Sequence, residues 1–117
     1  MYIPKEKVRG FKHAPNCLVW QYELEDDKMS FAKVYIDGKY PKKGFVANSA
    51  CKQLCYVTTG SCIIHSEKGD FKIGQSDVYY IDVNEKFWID GQKVFLIFVN
   101  NPAWTATQYK FIGEEKH

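Results

Sequence analysis

Apolar residues along this chain come in short bursts, rich in aromatic and β-branched side chains and cut at close intervals by Gly, Asp, Asn and Pro. No window sustains a helical apolar period, so the pattern predicts strands throughout. Cys17 to Leu24 reads as an early strand, followed by a polar turn at Glu25-Asp26-Asp27-Lys28. Ser30 to Ile36 is the next, stopped by Asp37-Gly38, a dipeptide favoured in tight reversals. After the polar connection Pro41-Lys42-Lys43-Gly44, the segments Leu54 to Thr58 and Ser61 to His65 flank Thr59-Gly60 as a predicted hairpin. Phe71 to Ile73, Val78 to Ile81, Lys86 to Ile89 and Val94 to Val99 complete the series, separated by Gly74, Asp82-Val83-Asn84 and Asp90-Gly91. Short strands at this spacing predict an all-β sandwich or barrel.

Val94-Phe95-Leu96-Ile97-Phe98-Val99 does not alternate, which predicts a central strand buried on both faces. Asn100-Asn101-Pro102 ends it, since proline cannot donate to a ladder. The segment from Ala103 to Ile112 is expected to pack back across the barrel, and Gly113 to His117 to form a solvated tail.

Composition narrows the classes. A chain of 117 residues fits one domain with one modest core, placed at 1–117. Sixteen Lys and Arg against 14 Asp and Glu leave a formal charge of +2 with both signs scattered, so neither nucleic acid nor an anionic membrane is implied as a partner. The start, Met1-Tyr-Ile-Pro-Lys-Glu-Lys-Val-Arg, has no apolar stretch of signal-peptide length, and Val94 to Val99 is far short of a span, which predicts a cytoplasmic protein. Cys17, Cys51, Cys55 and Cys62 follow no CxxC spacing and lie in strand-like sequence, as buried reduced thiols do.

A spacing adds to this reading. Gln53-Leu-Cys-Tyr-Val-Thr-Thr-Gly60, and then Ser76, Asp82, Asn84, Phe87 and Gly91, stand at the intervals of two motifs. The first ends in Glu, six residues and Gly; the second runs Gly, Pro, Gly, His, Asn. Over roughly residues 31–104 the chain resembles the cupin superfamily, in particular small single-domain bacterial cupins, which Asn48, Cys51 and Pro102-Ala103-Trp104 also resemble. The resemblance implies a small cupin-type double-stranded β-helix, or jelly-roll barrel, with its core at about 17–104, an N-terminal arm and a C-terminal return segment. Asn84 in place of a turn glycine fits, because Asn tolerates a left-handed backbone. Tyr79-Tyr80 and Phe87-Trp88 each put one aromatic on either face of a strand, and small cupins commonly pair, so a homodimer is expected.

The chemistry departs from the family's metal-binding members. Their paired histidines fall here among Ala47, Asn48 and Ser49, their Glu is Gln53, and their last His is Phe87. No metal and no cofactor is therefore expected, since such a set lacks the imidazole and carboxylate that hold divalent ions. His13, His65 and His117 lie outside those positions. Cys51 and Cys55 would stand about 13 Å apart along a strand, too far to share an ion. His65 with Glu67 is read as a surface pair at a turn, and Cys51 beside Lys52 as a structural or pocket thiol.

Gln53 has the parity of the family's inward Glu and needs partners for its amide. With Asn48, Cys51, the aromatics Tyr35, Phe87 and Trp104, and Lys33 on the parity of Tyr35, it forms the expected ligand-binding lining of the barrel interior. Core packing is the competing role of the aromatics. The leading functional reading is a metal-free barrel that binds a small polar or anionic molecule of the sugar or carboxylate class. Two alternatives stand beside it: a metal-independent isomerase or epimerase working by acid/base chemistry, and a structural or regulatory protein-interaction module. Metal-free cupin epimerases use an inward His with an acidic partner and a Tyr, and no inward position here is expected to offer that His. No catalytic residue is assigned.

Overall fold

The computed structural model describes residues 1–113 and contains nine strands: β1 (Gly10–Ala14), β2 (Cys17–Tyr22), β3 (Ser30–Tyr40), β4 (Phe45–Asn48), β5 (Lys52–Ser66), β6 (Gly69–Gly74), β7 (Val78–Ile81), β8 (Phe87–Asn101) and β9 (Tyr109–Ile112). Single 3₁₀ turns sit at Lys5–Lys7 and Ala106–Gln108. Of the expected tail, everything after Gly113 lies outside the described residues.

All pairings are antiparallel. Two strands of 15 residues, β5 and β8, run against each other from Lys52↔Asn101 to Ser66↔Phe87. The other edge of β8 carries β3, β2 and β1 in turn, while β5 also takes β6 and β7. β4 pairs with β8 at Val46↔Phe87, and β9 returns to pair with β4 as the last strand on that side. The result is a curled jelly-roll barrel, in agreement with the expected fold class.

The long strands curl because they bend at bulges. In β5 the register shifts twice between Val57 and Ser61. Gly60, at φ +80°, makes the bend with a backbone only glycine adopts freely, and a Cβ there would lie 2.4 Å from the carbonyl oxygen of Lys93. The hairpin expected around Thr59-Gly60 is therefore a corner in one continuous strand. Gly91 corrects the sequence reading in the same way: Phe87 to Ile89 of the expected Lys86 to Ile89 strand and Val94 to Val99 belong to one strand, and a Cβ at Gly91 would stand 2.5 Å from Ile36 O. Asn84 has φ 66°, as its replacement of a turn glycine implies.

Alternate residues fill the barrel. Ala32, Val34 and Ile36 of β3, Cys55, Val57 and Ile64 of β5, and Ile89, Val94, Leu96 and Phe98 of β8 form the core. Val94 to Val99 thus alternates in burial despite its uniform sequence. Phe95 on its outer face rests against Tyr35 and Trp20, so the second face is covered by aromatic neighbours in the same sheet rather than by another layer. All four cysteines are buried and unpaired.

Candidate functional site

The inner face of β3 and β8 forms the floor of a cavity of about 90 Å³ that opens toward β1. Ala32, Val34, Ile36, Ile89 and Phe98 make this floor apolar, and Gln21, Gln53 and Asn100 supply its amides. Cys17 lies in the wall with its thiol pushed up to about 12 by burial, which leaves it protonated and a poor nucleophile.

Four side chains frame the cavity's rim, and each is placed by a local feature of the chain. His13 stands two residues after Phe11 on β1, on the face that Phe11 also turns to the cavity, and it is left out of the ladder where the register against β2 shifts between Lys12 and Ala14. Tyr40 ends β3, Tyr109 opens β9, and Trp104 follows the end of β8, where its N–H donates to Ser30 Oγ at 2.9 Å. The His13 ring centroid lies 5.6 Å from that of Tyr40, 5.5 Å from Tyr109 and 6.4 Å from Trp104. The Tyr40 and Tyr109 hydroxyls are 2.7 Å apart, and either can donate to the other. Burial pushes both phenols above their ordinary range, and lowers the His13 pKa because the charged imidazolium is poorly solvated there. A neutral imidazole beside a protonated tyrosine pair is a proton acceptor beside a proton donor.

The expected lining residues separate into three groups. Gln53, Phe87 and Trp104 stand in the cavity wall. Asn48 lies behind Gln53, donating from Nδ2 to Gln53 Oε1 at 3.0 Å, and Cys51 is buried at the turn before β5, its N–H donating to Gln108 Oε1 at 2.8 Å. Burial raises the Cys51 thiol to about 11. Lys33 and Tyr35 are corrections. The inward parity of β3 runs through Ser30, Ala32, Val34 and Ile36, so both side chains project from the outer face, Lys33 Nζ 4.7 Å over the Trp20 ring and Tyr35 4.7 Å from Phe95. His65 bonds Asp70, with 2.8 Å between Nδ1 and Oδ1, rather than Glu67, and it stacks on Trp88 away from the cavity.

His13, Tyr40 and Tyr109 are the residues that sequence reasoning missed, and the expectation that no inward position offers a histidine is overturned by His13. Both His13 and Tyr109 lie outside the segment that resembles the motifs, and Tyr40 falls between the Asp37-Gly38 reversal and the Pro41–Gly44 connection, in no expected strand. The only signal for His13 was the short Gly10–Ala14 segment ahead of the Pro15-Asn16 turn, whose bulge cannot be read from residue type.

The positions corresponding to the metal ligands of metal-binding cupins do not fit an ion. Gln53 offers a neutral amide already engaged by Asn48, Phe87 offers a phenyl ring, and among the described residues no three His, Cys, Asp or Glu side chains converge.

No protein-family model matches the sequence, and no curated protein matches it significantly. Solved structures do resemble it. Pac13 from Streptomyces, described as a nucleoside dehydratase, superposes with a TM-score of 0.86 at 13% identity over 97% of this chain and 91% of that one. Variants of it with a Tyr→Phe or a His→Gln substitution were solved with uridine. KdgF from Halomonas sp. gives a TM-score of 0.74 at 12% identity, over 92% of this chain and 97% of that one. An RmlC-like cupin from Shewanella frigidimarina gives 0.73 at 14% identity, over 87% and 90%. The fold is the cupin fold.

Proposed function

We propose that this barrel binds a small, uncharged, ring-shaped polar molecule and moves a proton on it by metal-independent acid/base chemistry, as an isomerase, epimerase or dehydratase does. The observation that carries this reading is the His13 ring in the cavity rim beside the bonded Tyr40 and Tyr109 hydroxyls. His13 would take a proton from a carbon next to a carbonyl, while the tyrosine pair donates to the oxygen that gains charge. Return of the proton to carbon gives isomerisation or epimerisation; its delivery to a departing hydroxyl gives dehydration.

The lining favours an uncharged ligand over a carboxylate, because with Lys33 on the outer face no Lys or Arg among the described residues stands in the cavity wall. A nucleoside dehydratase of similar fold, solved with uridine, supports a polar ring as the ligand type. The interaction-module reading loses ground because the barrel keeps a cavity beside its packed core.

We place the protein as a homodimer in a reducing, cytoplasmic setting. The outer face of β5 and β7 supports the assembly, with Leu54, Tyr56, Val78 and Tyr80 exposed and Leu54↔Tyr80 and Tyr56↔Val78 adjacent by register. Four buried thiols support the setting. Among the described residues no helix is long and apolar enough to cross a membrane.

Proton NMR of cyclic hydroxyketones, ketoses and nucleosides incubated with the protein in D₂O tests the chemistry. Deuterium should enter at one carbon with the wild type and not with His13→Asn. Equal incorporation by a folded His13→Asn protein would remove His13 from the role.

A further inference from the structure

We infer that Gln53 and Asn100 together form a docking edge for a planar cyclic amide, a lactam or an imide. This deepens the reading of the barrel as a binder of small uncharged rings and rests on it. The two residues are register partners on β5 and β8, point into the barrel, line the cavity and are 7% and 2% exposed. Each amide is held from behind. Asn48 Nδ2 donates to Gln53 Oε1 at 3.0 Å, and Asn100 Nδ2 donates to Ser30 Oγ at 2.9 Å, a hydroxyl itself held by the Trp104 N–H.

That leaves one end of each amide for the cavity. Asn100 Oδ1 is buried with no partner among the described residues, in a wall otherwise apolar on the β8 side. A buried amide oxygen without a partner is costly, and native proteins seldom leave one unless water or a ligand meets it. Beside it the Nε2 end of Gln53 supplies a donor, so the pair presents a donor next to an acceptor. Gln53 cannot turn end for end alone, because its Nε2 would then face Asn48 Nδ2, donor against donor, and turning Asn100 would present a second donor; as oriented, the pair offers one donor and one acceptor. A cis-amide edge carries its N–H beside its C=O, so it can satisfy both side chains, as Asn and Gln do when they read a base edge.

The surroundings select for a flat ring. Phe98 and Trp104 line the same cavity, and its volume of about 90 Å³ admits the edge of one small ring with the rest reaching the open mouth. A charged group would find no counter-ion there, since among the described residues no Lys, Arg, Asp or Glu lines the wall.

Titration of the ¹⁵N-labelled protein with 2-piperidone, N-methyl-2-piperidone and cis-1,2-cyclohexanediol, read at the side-chain amide resonances, tests the inference. The lactam should shift the Gln53 and Asn100 NH₂ signals, bind at least tenfold tighter than its N-methyl form, and lose at least tenfold in Gln53→Leu and Asn100→Leu. Equal binding of the N-methyl compound would overturn the proposal in the wild type alone, whether or not those variants fold. Tighter binding of the diol would overturn it in favour of a sugar-type edge. If the wild type keeps the lactam preference while no ligand exchanges deuterium with it, the acid/base reading falls and the amide edge stands. Deuterium exchange without lactam binding removes the amide edge and leaves the acid/base chemistry standing.

Discussion

The phenol oxygens of Tyr40 and Tyr109 lie 2.7 Å apart although 69 residues separate them, joining the end of β3 to the start of β9 across the mouth of the barrel. Each is the other's hydrogen-bond partner in a place that disfavours the phenolate, so neither ionises at physiological pH and the pair shares its protons. This contact also ties the returning C-terminal strand to the cavity rim, making the last element of the fold part of the site.

Removing one hydroxyl strands the other. Tyr40→Phe or Tyr109→Phe should each cost about 1–3 kcal/mol by urea denaturation, because a buried donor is left unpaired. The double variant should cost less than the sum of the two, since it removes both members at once. Strictly additive losses would mean the hydroxyls do not depend on each other.

Glu85 should give the acid limb of the stability curve. Its buried carboxylate accepts from Ser66 Oγ, Tyr79 OH and the Asp82 N–H, and its other flank faces Lys68. Burial alone would raise its pKa, but the hydrogen bonds prevail and hold it below the ordinary value. A carboxylate depressed in the folded state contributes stability that is complete above its unfolded pKa and is lost as pH falls through the folded one. Unfolding free energy should therefore decline below about pH 4.5, and Glu85→Gln should flatten that decline while costing about 2–4 kcal/mol at neutral pH. An unchanged acid slope in the variant would remove Glu85 as its source.

Gly60→Ala should destabilise by about 2–4 kcal/mol in chemical denaturation, more than a glycine at an ordinary turn. Two effects combine there: φ at +80°, and a new Cβ aimed at the backbone of Lys93 rather than at a side chain that can rotate. Gly74→Ala meets nothing within 4 Å and serves as the neutral comparison.

That glycine also shows how far the sequence can be read. Strand content and the all-β class were legible because inward and outward residues alternate along β3 and β5, a period set by the backbone. Turn residues were legible as breaks in pattern, but Gly60 and Gly91 mark close approach of two backbones, which has the same signature as a hairpin tip. The inward parity of Gln53 followed from motif spacing. That of Lys33 and Tyr35 did not, because Trp20 and Phe95 make the outer face of β3 as aromatic as an interior and the two faces look alike in sequence. His13 was illegible for a different reason: it shares the cavity face of Phe11 by simple alternation, but the segment Gly10–Ala14 is too short and too mixed in polarity to read as a strand of the barrel.

The outer face of β5 and β7 gives a prediction about assembly. Sedimentation of the wild type should show a dimer, and Tyr80→Lys with Val78→Glu, both at exposed positions, should convert it to a folded monomer. A wild type that sediments as a monomer at tens of micromolar would refute the pairing through this face.

His13 should make its own mark on the pH dependence, opposite in origin to that of Glu85. Its folded pKa lies below the ordinary value of 6.5 because the cavity rim desolvates the imidazolium, so the unfolded chain binds the proton first. Stability then rises with pH across this window: the folded protein loses free energy as pH falls from about 6.5 to the folded pKa, and the loss levels off below it, where both states are protonated. His13→Phe keeps an aromatic ring against Tyr40, Tyr109 and Trp104 and has no proton to take up, so its stability should be flat over that window while the wild type falls. Direct titration of the His13 ring by NMR should give a midpoint below that of the same ring in the urea-unfolded chain. A His13 midpoint at or above the ordinary value would mean that the rim favours the imidazolium, and would remove the neutral base on which the proposed chemistry depends.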